Sequence, residues 1–317
     1  MESINKPFSR RKFLKLAAAT SAGATAAAVV PPLVRNGTVP GLFGGSQLKI
    51  GLLLPTSGAH PRLGENLESG MRAYFNSASA SETRFVSDTV EGGYSGLSAK
   101  AARLIDEQNA DVIVAAVSSA AVPRLSEIMN DRGKPFVVAN TGASPIEPAV
   151  LGKLGLHNSL GLWQSSWMTG AYAGTHAGGR GLAVTTLADS GNASLHALQL
   201  GLGQSGGELV DTIYVDQLSG DDAASLTHRI YAADVDFVFA MISGDVSAMF
   251  LNAYQRHDLP PIYASGFMTE PFARHGNSNV QGLPSVATWA ESLRLESNHR
   301  FSSAYRMETG REPDSFA

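Results

Sequence analysis

Hydroxyl and amide side chains directly follow two apolar runs of the sequence. Ser118 and Ser119 follow the run DVIVAA, and Asn140 and Thr141 follow PFVVA. Runs of this length and content are typical of buried strands in a parallel sheet, where ligands bind beyond the carboxyl ends of the strands. A hydroxyl there can bind a ligand or cap the next helix, whose first N–H groups attract a carboxylate. For Asn140 and Thr141, ligand contact and ordinary turn chemistry are equally open.

The sequence contains no motif that is typical of a catalytic site or a metal site. The sequence has no cysteine, which excludes disulfides, thiolate metal sites and thiol nucleophiles, and no two of its eight histidines are four residues apart. Gly201, Gly203 and Gly206 match the dinucleotide-binding fingerprint by letter. They follow a predicted helix and precede a predicted strand, which is the reverse of the required order. We therefore expect no cofactor, no metal and no catalysis.

The charge distribution argues against nucleic acid as a partner. The formal net charge is −4, but residues 1–28 carry five cations and one acid, which leaves 19 Lys and Arg against 27 Asp and Glu in the rest of the chain. Binding to nucleic acid needs clustered Lys and Arg, so an acidic body argues against it. A length of 317 residues suggests two domains of ordinary size.

The N-terminus resembles a twin-arginine export signal. Its paired Arg10 and Arg11 are followed by Phe13 and Leu14, and then by a weakly apolar, Ala-rich run. A transmembrane anchor is the alternative, but a membrane-spanning helix needs about 20 strongly apolar residues. We expect residues 1–28 to be a cleaved signal peptide, used by the twin-arginine translocase, and residues 29–47 to be a flexible leader.

Residues 48–317 alternate between strand and helix patterns. This alternation predicts an α/β fold with parallel sheets that are covered by helices on both faces, in two series with a break near residues 155–162. We predict strands at residues 48–54, 83–88, 111–116, 135–139, 182–186, 209–215, 236–241 and 261–264. We predict helices at residues 63–78, 97–108, 122–131, 162–176, 194–204, 221–233 and 246–257.

The ordered series of units resembles the periplasmic branched-chain amino-acid binding family, the type I solute-binding fold of ABC transporters. The resemblance covers nearly all of residues 48–317. It rests on Pro55-Thr56-Ser57-Gly58, Gly64 and Gly70, on the loops at Ser118-Ser119 and Asn140-Thr141, on Asp236-Phe237, Tyr254 and Leu259-Pro260, and on Tyr305, Gly310, Pro313 and Asp314.

The resemblance implies two Rossmann-like lobes that close around a ligand about hinges near residues 158–162 and 284–290. Lobe one would comprise residues 48–160, lobe two residues 161–284, and residues 285–317 would return to lobe one. Because family members continue beyond the position of Ala317, this return is expected to be incomplete. The ligand would be a small polar molecule such as an amino acid, an amide or a related carboxylate. The partner would be an ABC permease, and the location the periplasm.

The resemblance also favours ligand contact over capping for Ser118 and Ser119, and it suggests contacts from lobe two. Trp163 follows the hinge crossing and could stack on a ligand, whereas core packing is the alternative. Family members specific for amino acids place an acidic residue and aromatics in lobe two, but the matching positions here are Gly266 and Ser243. The remaining lobe-two candidates follow predicted strands, and they are Asp189, Ser243, Asp245 and Phe267.

Two other functions are compatible with the sequence. A ligand-sensing receptor component would have the same fold and would deliver its ligand to a receptor instead of a permease. An enzyme exported by the twin-arginine route is the second, but no pattern of residues supports catalysis.

Overall fold

The computed structural model describes residues 47–55, 62–77, 83–91, 96–215, 220–255, 258–274 and 278–317. The expected export signal, including Arg10, Arg11, Phe13 and Leu14, lies outside the described residues, as does all of the expected leader before residue 47. The chain forms two compact units. The larger unit holds residues 49–68, 85–290 and 314–317, and the smaller one holds residues 69–84 and 291–313 together with the segment that ends at Leu48.

The first sheet has five strands in the order β2-β1-β3-β4-β5. The pairs β1–β3, β3–β4 and β4–β5 are parallel, and Leu53, Ile113 and Val138 of these strands are fully buried. Its strands are β1 (Lys49–Pro55), β2 (Arg84–Val90), β3 (Val112–Ala115), β4 (Phe136–Asn140) and β5 (Gly155–Ser159). The helices of this part are α1 (Leu63–Ser77), α2 (Leu97–Ala102, continued by a π-helical turn at Arg103–Glu107), α3 (Val122–Asp131) and α4 (Pro148–Leu151).

The second sheet has the order β10-β9-β8-β6-β7, with parallel pairing throughout. Its strands are β6 (Arg180–Thr185), β7 (Glu208–Tyr214), β8 (Phe237–Met241), β9 (Ile262–Ser265) and β10 (Ser285–Val286). The helices are α5 (Leu162–His176), α6 (Leu187–Leu202), α7 (Gly220–Ala232), α8 (Asp245–Ala253) and α9 (Gly266–Arg274). Every residue of β8 is buried, which is why its sequence FVFAM has no polar position.

The expected α/β class with two parallel sheets is confirmed, and several details differ. The expected break near residues 155–162 contains β5, which pairs with β4 over five residues. Strand β10 pairs with β9, so residues 285–286 belong to the second sheet and not to a segment that returns to the first. Helix α6 begins at Leu187, seven residues before the predicted start.

The smaller unit contains helix α10 (Glu296–Thr309). This helix buries Tyr305 completely, and Asn298 at its start donates hydrogen bonds to the carbonyl groups of Glu291 and Leu293. Across the whole described part of the chain, no helix is both long and apolar enough to cross a membrane.

Candidate ligand-binding site

Ser118 lies just beyond β3, at the start of a 3-10 turn (Ser119–Ala121) that leads into α3. Its backbone is extended, and its carbonyl accepts a hydrogen bond of 2.9 Å from the N–H of Ala121. The side chain is exposed and caps no N–H group of the described turn. The structure therefore does not support the alternative that the Ser118 hydroxyl serves only to cap the following helix. The half-buried Ser119 lies with its Oγ 3.5 Å from the carbonyl oxygen of Ser144.

The side-chain amide of Asn140 links the segment after β3, the end of β4 and the middle of β5. Its Nδ2 donates to the carbonyl of Val117 at 3.1 Å, and its Oδ1 accepts the N–H of Gly142 at 3.0 Å. Nε2 of His157, on β5, lies 3.0 Å from the same Oδ1. The bond to Gly142 is the turn chemistry expected of an Asn, while ligand contact by its second amide hydrogen stays a prediction.

The loop after β4 connects the first sheet to helices of the second. The carbonyl of Thr141 accepts the N–H of Leu162 at 3.0 Å, and that of Gly142 accepts the N–H of Trp163 at 3.0 Å. Oγ of Ser194, on α6, donates to the carbonyl of Ala143 at 3.2 Å. All of these residues belong to the larger unit. The loop that carries Thr141 thus fixes the first turn of α5, where the half-buried Trp163 lies.

The candidates of the second sheet follow β6, β8 and β9, as expected. Ser243 is half-buried in the loop after β8, and Asp245 begins α8. Asp189 lies in the first turn of α6, and the described structure does not include the side chains of Asp189 or Asp245. Phe267, in the first turn of α9, is half-buried against an apolar cluster that includes Leu162 and Met241.

Ala143, from the loop after β4, packs against the same apolar cluster as Phe267. The loop after β4, the first turn of α5 and the first turn of α9 therefore contribute residues to one apolar cluster. Ligand contact by the individual candidates stays a prediction.

Sequence reasoning missed four side chains that hold this region together. His157 and Thr288 bond to groups at the ends of β4 and β5, and Ser194 bonds to the loop after β4. Glu270, on α9, accepts hydrogen bonds from the backbone N–H of Ser315 at 3.0 Å and from its Oγ at 2.6 Å. The adjacent Phe316 ring lies 5.3 Å from that of Phe267, between centroids. His157 and Thr288 stand in short polar segments that carry no strand periodicity.

No group of three His, Cys, Asp or Glu residues in the described part of the chain is arranged to hold a metal ion.

The family model described as periplasmic binding protein matches residues 47–317. A solute-binding protein of an ABC transporter from R. palustris, solved in complex with benzoate, is 23% identical with a TM-score of 0.72 over 86% of this chain and 76% of that one. An ABC transporter substrate-binding protein from Sphaerobacter thermophilus is 20% identical, with a TM-score of 0.73 over 85% and 76%.

A leucine-, isoleucine-, valine-, threonine- and alanine-binding protein from Brucella ovis, in a closed conformation, is 18% identical, with a TM-score of 0.65 over 84% of this chain and 73% of that one. No curated protein matches the sequence. These structural likenesses establish the fold, and the family model covers far more than half of the chain. The chain belongs to the periplasmic binding protein family, which supports the expectation of a binding protein rather than an enzyme.

Proposed function

We propose that the chain is the extracytoplasmic solute-binding component of an ABC importer, and that its ligand is a small carboxylate. The observation that carries the proposal is the exposed Ser118 hydroxyl, which lies at the start of a helical turn and caps none of its described N–H groups. A hydroxyl next to the unpaired N–H groups of a helix start is suited to bind an anion.

Two neighbouring structures support the ligand class. The R. palustris protein was solved with benzoate, and the Brucella ovis protein is named for five amino acids. These ligands share a carboxylate and differ in the rest of the molecule. The half-buried aromatic side chains of Trp163 and Phe267 suit the apolar part of either kind of ligand.

The proposed mechanism is mechanical. Ser118, Ser119 and the loop at Asn140 and Thr141 would bind the carboxylate, while Asp189, Ser243 and Asp245 would supply contacts from the second lobe. The lobes would then close about the crossings near residues 158–162 and 284–290. A membrane permease would recognise the closed form, and the export signal at Arg10, Arg11, Phe13 and Leu14 would bring the chain to the periplasm.

Isothermal titration of the full chain with benzoate, leucine and their amides tests the proposal. The variant Ser118→Ala should weaken carboxylate binding by about tenfold to a hundredfold, because hydrogen bonds to charged groups contribute about 1.5–3 kcal/mol. Ser225→Ala, an exposed serine on α7, serves as the matched control and should leave binding unchanged. If Ser118→Ala and the wild type bind the carboxylates with equal affinity, the Ser118 hydroxyl does not bind the ligand and the proposal loses its main support.

A further inference from the structure

Residues from three neighbouring strand segments of the first sheet meet at the side chain of Asn140. Val117 follows β3, Asn140 ends β4, and His157 lies on β5, the edge strand of the sheet. The bonds from Asn140 to Val117, from Gly142 to Asn140 and between His157 and Asn140 are 3.0 to 3.1 Å long. Val117 is buried, while Asn140 and His157 are half-buried.

The donor and acceptor of each bond follow from the partners. A carbonyl can only accept, so the atom of Asn140 facing Val117 is the nitrogen, and a backbone N–H can only donate, so the atom facing Gly142 is the oxygen. Nε2 of His157 lies 3.0 Å from this oxygen and must therefore donate to it. His157 thus carries its hydrogen on Nε2. Burial lowers the pKa of His157, which agrees with a neutral ring at neutral pH.

The residues that these hydrogen bonds hold in place adjoin two proposed ligand contacts, Ser118 and Trp163. Val117 directly precedes Ser118 in the chain. The carbonyl of Gly142 accepts the N–H of Trp163, so the position of Gly142 fixes the first turn of α5. A shift of Asn140 would therefore move the Ser118 segment and the Trp163 turn together.

We infer that His157 is a positioning residue for the ligand site, and that it acts through Asn140 by donating a hydrogen bond to its Oδ1. This inference rests on the proposed function, because it takes Ser118 and Trp163 as ligand contacts. It adds a residue that need not touch the ligand. Fixing a side chain by its neighbours raises affinity because the binding geometry is then formed before the ligand arrives.

The test compares three variants of the full chain. His157→Gln keeps an N–H donor at the place of Nε2, and His157→Leu keeps an apolar body but removes the donor. Asn158→Leu is the matched control, since Asn158 is the exposed neighbour on the same strand. The first measurement is hydrogen exchange at the amides of Gly142 and Trp163 without ligand. The second is the affinity for benzoate and leucine.

We expect His157→Leu to raise both exchange rates and to weaken carboxylate binding by about five- to tenfold, the effect of one lost hydrogen bond. His157→Gln and Asn158→Leu should stay near wild type in both measurements. The affinity losses of His157→Leu and Ser118→Ala should also be less than additive, because both affect one contact.

Two outcomes would overturn the inference. Unchanged exchange in His157→Leu would mean that the histidine does not hold the loop. Faster exchange with wild-type affinity would mean that the loop it holds does not serve the ligand. If the wild type binds no carboxylate, the proposed function and the ligand role of His157 fail together, while the exchange data still decide whether the pair orders the loop.

Discussion

The hydroxyl of Thr288 donates a hydrogen bond of 2.8 Å to the carbonyl oxygen of Leu160. Leu160 stands between β5 and α5, and Thr288 follows β10, so the bond joins the segment between the two sheets to the segment after β10. The methyl group of Thr288 also lies close to Gly161. A Cβ added to Gly161 would be only 2.9 Å from this methyl group. The two segments that were expected to act as hinges are therefore in direct contact.

Thr288→Val removes this hydrogen bond and keeps the shape of the side chain. Because Thr288 is exposed, we expect a loss of about 0.5–1 kcal/mol in the free energy of unfolding, as measured by urea denaturation. Thr288→Ser keeps the hydroxyl and should lose less. A Val variant as stable as the Ser variant would show that the bond contributes nothing measurable.

Gly142→Ala should be more damaging than Gly133→Ala, although both glycines have a positive φ, +71° and +63°. A Cβ at Gly142 would lie 2.6 Å from Oγ of Ser159, whereas a Cβ at Gly133 has open space. Left-handed backbone costs a non-glycine residue about 1–2 kcal/mol, and overpacking adds about 1–3 kcal/mol. Urea denaturation should therefore show a larger loss of unfolding free energy for Gly142→Ala. Equal losses would contradict the crowding at Ser159.

The pH dependence of stability should carry a contribution from His157. Burial holds the pKa of His157 in the folded chain below the value of about 6.5 for an unfolded histidine. Between these two values the unfolded chain binds more protons, so this contribution to stability is present above about pH 6.5 and is lost as the pH falls. The unfolding free energy should be measured at about pH 7.5 and about pH 5. Its decrease from the higher to the lower pH should be smaller in His157→Gln than in the wild type. An equal decrease in the wild type and in His157→Gln would show that His157 does not contribute to the pH dependence of stability.

Tyr254→Phe tests a buried contact in the core of the second sheet. The hydroxyl donates to the carbonyl of Pro260 at 2.7 Å, and burial raises the pKa of this phenol. Removal leaves the carbonyl without this donor and should cost about 1 kcal/mol of unfolding free energy. Tyr231→Phe, at an exposed position on α7, is the control and should be nearly neutral. A Tyr254→Phe variant as stable as this control would be the contrary result.

Much of the fold could be predicted because its most deeply buried strands, such as β3 and β8, are continuous apolar runs. The run at residues 236–241 lies within one residue of β8, and helix α5 has the predicted bounds. Strand β5 was missed because its sequence GLHNS is half polar, and parallel pairing with β4 stabilises it. Strand β10 has two residues, which is too short for a periodic pattern.

The site could be predicted only as positions and not as contacts. The polar residues at the ends of β3 and β4 could be proposed as ligand contacts because their place follows from the strands. The bond from His157 to Asn140 depends on the pairing of β4 with β5, and the bond from Thr288 to Leu160 spans 128 residues. Neither has a local signal in the sequence.

Thermal unfolding of the full chain with paired ligands tests the central claim most directly. Benzoate should be compared with benzamide, and leucine with leucinamide, in the wild type and in Ser118→Ala. A carboxylate at about a hundred times its dissociation constant should add about 2.7 kcal/mol to the stability and raise the midpoint, whereas its amide and the Ser118→Ala variant should show a much smaller rise. A sharp transition that no carboxylate shifts, or that the amides shift equally, would contradict the account.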